Sequence, residues 1–239
     1  MFILNREGIN MGKSITAILF TSFLDGIFLA VMAPIVYFGA GKEMLFTGVA
    51  TQTVFGNFSF YLFWVVYFII LAYKLFVAYA LFVNPYFIKG LLYRATSISF
   101  LRRFRKSAIT TGNQLVIASE TLRKQNVKYW LYSVTATFAS WTARYTIVNC
   151  LIHAFHGQRK VEDFVVYGKQ VVMGIIILVS PTPGGRGVAE FMFEGFLKQF
   201  YTPGMEIILI PLWGLLSYYI YIFIGVVLLP RWIKAKFIK

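Results

Sequence analysis

A proline–glycine run inside an apolar stretch constrains this chain more than any other feature. Residues 164–201 would read as one long membrane-crossing helix but for Ser180-Pro181-Thr182-Pro183-Gly184-Gly185-Arg186-Gly187 at their centre. Pro181 and Pro183 have no N–H and cannot continue a helix. Gly184, Gly185 and Gly187 permit positive φ and close approach of another group. Each half keeps about 14–17 residues, roughly 21–26 Å of helix, short of the roughly 30 Å hydrocarbon core of a bilayer. Irregular backbone at that depth is tolerated only where it is buried in protein or lines a wet cavity.

The break sits among segments that can cross a bilayer whole. Residues 14–38, 59–83, 127–152 and 205–230 are each apolar over the about 20 residues a span requires. Only 13% of the chain is charged, against about 25% for soluble domains, and 19% is aromatic. The single cysteine, Cys150, excludes an internal disulfide framework and a cysteine metal cluster. The first dozen residues are polar and lack the apolar core of a signal peptide. A net charge of +14 raises the question of nucleic acid. The bases, however, cluster between and after the apolar runs, which argues for loops held at anionic lipid and against nucleic acid.

Loop charges then predict the topology. Residues 84–128 hold nine Lys or Arg against one acid, Glu120, and the tail carries Arg231, Lys234, Lys236 and Lys239 with none. Both are expected on the cytoplasmic side, with the charge-balanced segments 39–58 and 153–163 outside. The third span then ends outside and the last begins there, so residues 164–201 must return to the side they start from. A re-entrant hairpin does that. The expected fold is an all-α polytopic membrane domain over residues 1–239, with about four full spans, the broken-helix hairpin and cytoplasmic amphipathic helices. In the basic loop, Leu101, Phe104, Ala108, Leu115, Ala118 and Leu122 recur at helical spacing opposite Arg102, Arg103, Arg105, Lys106, Arg123 and Lys124. They predict one or two helices on the cytoplasmic leaflet, interrupted near Gly112. A plain loop obeying the positive-inside rule accounts for the same charges equally well.

Charged residues in apolar runs are the candidates for chemistry. A second half-helix starting near Val188 would turn its free N–H groups and positive dipole end toward the break, beside Arg186, which suits a phosphate or other anion. Broken helices of this kind also mark transporter substrate sites, whereas a structural kink filled by neighbouring helices is the plain alternative. Glu190 and Glu194 follow Arg186 at successive i+4 positions. Glu190 either neutralises Arg186, contacts a cationic headgroup or exchanges a proton. Arg144, within Ser140-Trp141-Thr142-Ala143-Arg144-Tyr145, lies too deep in its span to snorkel and is a second phosphate candidate. Asp25 and Lys74 are each other's expected partners, and Lys169 is expected to snorkel to the outer interface.

Enzyme signals are weak. Gly8 and Gly12-Lys13-Ser14 approach a phosphate loop, but one residue of spacing is missing and no strand precedes them. His153 and His156, one turn apart, read as interfacial polar residues rather than metal ligands. No cofactor or metal is expected.

The run from Ser180 through Gly187-Val188-Ala189-Glu190 resembles the signature of the lysylphosphatidylglycerol synthase transmembrane-region family. That family includes the flippase domain of multiple peptide resistance factor proteins and stand-alone bacterial homologues. Phe138-Ala139-Ser140-Trp141-Thr142-Ala143-Arg144-Tyr145, Trp213, Ser217-Tyr218-Tyr219 and Gly225 add to the likeness, and Leu4-Asn5-Arg6-Glu7-Gly8-Ile9 looks like the segment after the family's Gly-Gly-x-Pro motif. The resemblance covers nearly the whole chain but about the C-terminal two-thirds of a family member. It departs from the pattern at Gly214, where the family often has arginine, and in the front segments and aminoacyl-transferase domain, which are expected to be missing.

The resemblance implies a flippase-like, multi-pass protein of the bacterial cytoplasmic membrane, its C-terminus cytoplasmic, which moves an anionic or aminoacylated or glycosylated phospholipid. The expected substrate-binding residues are Arg144, Arg186, Glu190, Gly184, Gly185, Gly187, Pro181, Pro183 and Trp141. Two other readings stay open. The basic run at 102–106 suits the membrane part of a headgroup-modifying enzyme of the phosphatidylglycerol lysyltransferase kind, and missing front segments suit a degenerate, non-catalytic scaffold. A membrane-protein partner or a second copy of the chain would cover the surface those segments leave.

Overall fold

The computed structural model describes residues 11–46, 54–97, 105–156 and 162–237. Among them the order is α1 (Met11–Phe46), α2 (Val54–Phe82), α3 (Pro85–Ala95), α4 (Arg105–Arg123), α5 (Val127–His156), α6 (Asp163–Ile177), a 3-10 turn (Pro183–Gly185) and α7 (Val188–Leu197). A second 3-10 turn (Lys198–Phe200), α8 (Glu206–Gly214), a π turn (Leu215–Tyr219) and α9 (Ile220–Phe237) complete it. The protein is an all-α membrane protein. Thr16–Phe46, Phe58–Tyr79 and Glu206–Ala235 are long and apolar enough to cross a bilayer.

These spans differ from the predicted ones in two ways. The first helix runs past residue 38 to Phe46, bending at Gly41, whose φ of 81° and ψ of 158° are not helical. The third expected span is one helix, the 30-residue α5, but Ser, Thr, Asn and Arg residues along it make it less apolar than the other three.

The chain divides into two compact units. The first comprises Met1–Ala30 and Phe68–Ala139. Its core joins Phe20 and Leu24 of α1, Leu81 of α2, and Ala118 and Leu122 of α4, with Val77, Trp130 and Val134 packed around them. Leu122→Ala there would cost about 2–5 kcal/mol. Two expectations are corrected here. Helix α4 is continuous through Gly112, which is buried, and a Cβ at that position would stand 2.9 Å from Lys89 Cγ of α3. The glycine permits close packing of α3 on α4 and interrupts nothing. Ala118 and Leu122 meet protein, so this part of the apolar stripe is already covered. Leu101, Arg102, Arg103 and Phe104 lie outside the described residues, as does Gly8. The ammonium of Lys74 donates to Ser22 O at 2.5 Å and Ser22 Oγ at 3.0 Å, within electrostatic reach of Asp25.

The second unit comprises Val31–Tyr67 and Ser140–Lys239. Its centre is α6, of which Val165 through Met173, Ile175 and Ile176 are all buried. A helix enclosed on every side is apolar all round, and the buried stretch from Val165 to Ile176 is, except at Lys169 and Gln170. Lys169 is fully buried, its Nζ 5.9 Å from the Phe196 ring and 5.6 Å from that of Phe200. The snorkelling expected of it is overturned, because protein on every face closes the route to an interface. Rings of Phe46, Phe63 and Phe196 meet edge-on at 5.7 and 6.3 Å alongside.

Candidate functional site

The break is a braced turn rather than a slack one. Helix α6 ends at Ile177, ahead of the prolines expected to stop it, and three tightened turns follow from Leu178, Val179 and Ser180 back to Ile175, Ile176 and Ile177. The residue before a proline is pushed out of the helical region, so unwinding starts upstream of Pro181. Ser180 Oγ bonds Thr182 Oγ1 at 2.8 Å, and Thr182 Oγ1 bonds Arg186 O at 2.8 Å. Gly185 N donates to Thr182 O at 2.9 Å. Pro181 is exposed, and Pro183 opens the 3-10 turn.

Three glycines shape the exit from this turn. Gly184, Gly185 and Gly187 have φ of 68°, 71° and 80°. A Cβ on Gly185 would lie 2.2 Å from Ile177 Cγ2, and one on Gly184 2.8 Å from the Tyr218 hydroxyl. Gly187 caps α7 at ψ −58° with no side-chain hydrogen bond, so the helix begins at Val188 as expected, with its first amides uncapped by any side chain.

Arg186 is held from the far side by the last helix. Its Nη2 donates to Ser217 Oγ at 3.2 Å and to Gly214 O at 3.4 Å. Both acceptors border or sit within the π turn, whose i→i+5 pattern loosens the local carbonyl ladder. The guanidinium lies 5.4, 4.5 and 5.2 Å from the rings of Trp213, Tyr218 and Tyr219, an arrangement that favours a cation. Nη1 is buried without a hydrogen-bond partner, 3.9 Å from Glu190 Oε1. A side chain at Gly214, the position where the family resemblance suggests arginine, would start 3.3 Å from that same Nη1. The bare backbone there leaves room for the guanidinium.

Glu190 and Tyr219 also line a groove of about 640 Å³ whose other walls are Ile207, Ile208, Ile210, Pro211, Leu212 and Leu215. Glu190 is its charged lining residue, and the aliphatic walls are apolar. Glu194, expected on the same face, is exposed.

Arg144 and Trp141 form a second cationic–aromatic pair. The Arg144 guanidinium is exposed, 5.0 Å from the Trp141 ring and 5.8 Å from Tyr221. Both arginines thus lie against the aromatic run that begins at Tyr218. The sequence reading missed this shared backing, though the closely spaced Tyr218, Tyr219 and Tyr221 signalled it.

It also missed a polar clasp from α5 to α6. Asn149 Nδ2 donates to Asp163 O at 2.8 Å and to Asp163 Oδ1 at 3.1 Å, and His153 Nε2 lies 2.7 Å from the same carboxylate. Bonds from His153 and Asn149 hold the Asp163 carboxyl below its ordinary range. His153 is therefore a partner of a carboxylate and not merely an interfacial residue.

Comparison with known proteins follows the same lines. The family model described as "Lysylphosphatidylglycerol synthase TM region" matches residues 1–225. A curated relative, a "UPF0104 membrane protein" of Archaeoglobus fulgidus, is 24% identical over 250 residues, covering 99% of this chain and 70% of the relative. No solved structure matches the chain.

Proposed function

The chain belongs to the lysylphosphatidylglycerol synthase TM region family, and we propose that it binds an anionic or aminoacylated phospholipid and carries its headgroup across the cytoplasmic membrane of a bacterium. The observation that carries this reading is the unsatisfied, buried Nη1 of Arg186 beside Glu190, which itself lines an apolar groove. Buried donors are nearly always paired, so one left open next to a groove is an offer to a ligand. An amphiphile satisfies both parts. Its phosphate takes Arg186 Nη1 and the uncapped α7 amides, while its acyl chain lies along Ile207, Ile208 and Pro211. Glu190 balances Arg186 until the phosphate arrives and then meets an amino group on the headgroup. Arg144, with Trp141 behind it, supplies a second phosphate contact along the path.

In this reading α6 and α7 form the re-entrant hairpin. At 15 and 10 residues they reach roughly 22 and 15 Å, too short to cross. Helix α5 is then the third of four spans, with Asn149 buried against α6 while Thr142 and Arg144 are exposed, and the basic C-terminal tail is cytoplasmic. Leaflet-selective labelling of lipid headgroups in cells tests the function. Arg186→Ala and Arg144→Ala should each abolish headgroup exposure while protein levels hold. Unchanged labelling in both variants removes the proposal.

A further inference from the structure

Helix α3 follows a membrane-crossing helix without a loop. The apolar stretch Phe58–Tyr79 is the body of α2, which ends at Phe82, and α3 begins at Pro85. The corner between them is closed by hydrogen bonds. Val83 N and Asn84 N donate to Tyr79 O at 2.9 and 3.1 Å, and Asn84 Oδ1 caps α3 by accepting from Phe87 N at 2.9 Å. From α4, Ser119 Oγ bonds Leu81 O at 2.5 Å, and Arg123 Nη2 bonds Phe82 O and Val83 O at 2.7 and 3.0 Å. These are the carbonyls a helix C-terminus leaves unpaired, so the direction of α3 is fixed relative to the end of α2.

One face of α3 packs on α4 through Lys89 and Gly112. The other face is largely exposed among the described residues. Tyr86, Phe87, Leu91 and Tyr93 are 63, 54, 44 and 46% exposed. At about 100° per residue they fall, with Arg94, on one arc of about 160°. The arc joins the exposed side of α2, because the Phe87 ring contacts Tyr79 edge-on at 6.1 Å. At its other end Arg105 Nη2 bonds the Tyr93 hydroxyl, and the guanidinium lies 4.6 Å from the Tyr93 ring. Among the described residues of 84–128, the bases Lys89, Arg94, Arg105, Lys106, Arg123, Lys124 and Lys128 stand against a single acid, Glu120.

We infer that α3 is an interfacial helix seated on anionic phospholipid in the leaflet where α2 ends. Phe87 and Leu91 reach the acyl-chain boundary, and Arg94 and Arg105 meet lipid phosphates. Three observations fix the occupant. The exposed face continues the bilayer-facing surface of α2, its tyrosines are residues of the membrane interface, and its charge complements an anionic leaflet. Protein partners with an acidic surface would have no reason to want Phe87 and Leu91, and water would want them least.

The test uses the whole protein in vesicles of phosphatidylcholine and phosphatidylglycerol, with Cys150→Ser as background. Nitroxide labels on Phe87→Cys and Leu91→Cys should collide several-fold more with oxygen than with a water-soluble nickel chelate. A label on Lys106→Cys, exposed on α4, should prefer the chelate. Chelate access at positions 87 and 91 equal to that at 106 overturns the interfacial placement. Native mass spectrometry then reads the lipid class. Arg94→Gln with Arg105→Gln should reduce bound phosphatidylglycerol relative to phosphatidylcholine at least twofold, and an unchanged ratio overturns the anionic-lipid assignment. Neither readout depends on lipid movement.

Discussion

Arg186 reaches Ser217 across 3.2 Å, and the Ser217 hydroxyl gives its own proton to Trp213 O at 2.6 Å. The serine's lone pairs are therefore turned to the guanidinium. Ser217→Ala should lower thermal stability in detergent by about 1–2 kcal/mol, the worth of a hydrogen bond to a charged donor. Combined with Arg186→Ala, the two losses should be less than additive, because the second change has nothing left to break. Full additivity would mean the bond contributes nothing. Arg186→Lys should behave as Ala does in headgroup labelling, since an ammonium cannot keep two acceptors and three ring faces at once.

The glycines of the break should rank by space as well as by angle. Gly187→Ala meets open surroundings and suffers only from φ of 80°, a cost of about 1–2 kcal/mol. Gly185→Ala adds a clash with Ile177 Cγ2 at 2.2 Å and should lose clearly more. Thermal melts of the two variants in one detergent give the order, and a reversed order would contradict the described turn.

The clasp on Asp163 predicts an acid limb. A carboxyl held below its ordinary value of 3.8 adds stability above that pH and loses it as pH falls through the native, lower value. Melting temperatures taken from about pH 6 down to pH 3 should fall more steeply for the wild type than for Asp163→Asn. Parallel curves would show that the bonds from His153 and Asn149 do not stabilise the fold.

Arg123→Ala should uncap the end of α2 by freeing Phe82 O and Val83 O, at about 1 kcal/mol for so exposed a side chain. Hydrogen exchange should rise at the α2–α3 corner and not in α6. Protection unchanged at the corner would mean that the Ser119 bond suffices.

Much of this architecture was readable along the chain because it is written in covalent constraints. Proline lacks a donor and glycine lacks a Cβ, so the interruption at 181–187 and the start of α7 at Val188 follow from residue type alone. The pairing of Arg186 with Glu190 follows from helical spacing. What failed depends on neighbours distant in sequence. Lys169 reads as a snorkelling base until α6 is seen enclosed on every side. Gly112 reads as a helix breaker until Lys89 is found packed on it. Helix α3 is only 11 residues long, too short for its apolar spacing to stand out within the strongly charged segment that holds it. No local pattern marks residues 215–219 as a π turn, against which the Arg186 guanidinium is seated.

That π turn sets the timing of everything after it. It holds one residue more than an α turn, so the helix beyond is advanced by about 100° relative to the helix before. Gly214 and Tyr218 face Arg186, while Tyr221, past the insertion, faces Arg144. Deleting one residue between 215 and 219 would leave an unbroken helix of good length and swing Tyr221 off its arginine. The two cationic stations are kept in step by a single inserted residue, much as one extra tooth sets the phase between two gears.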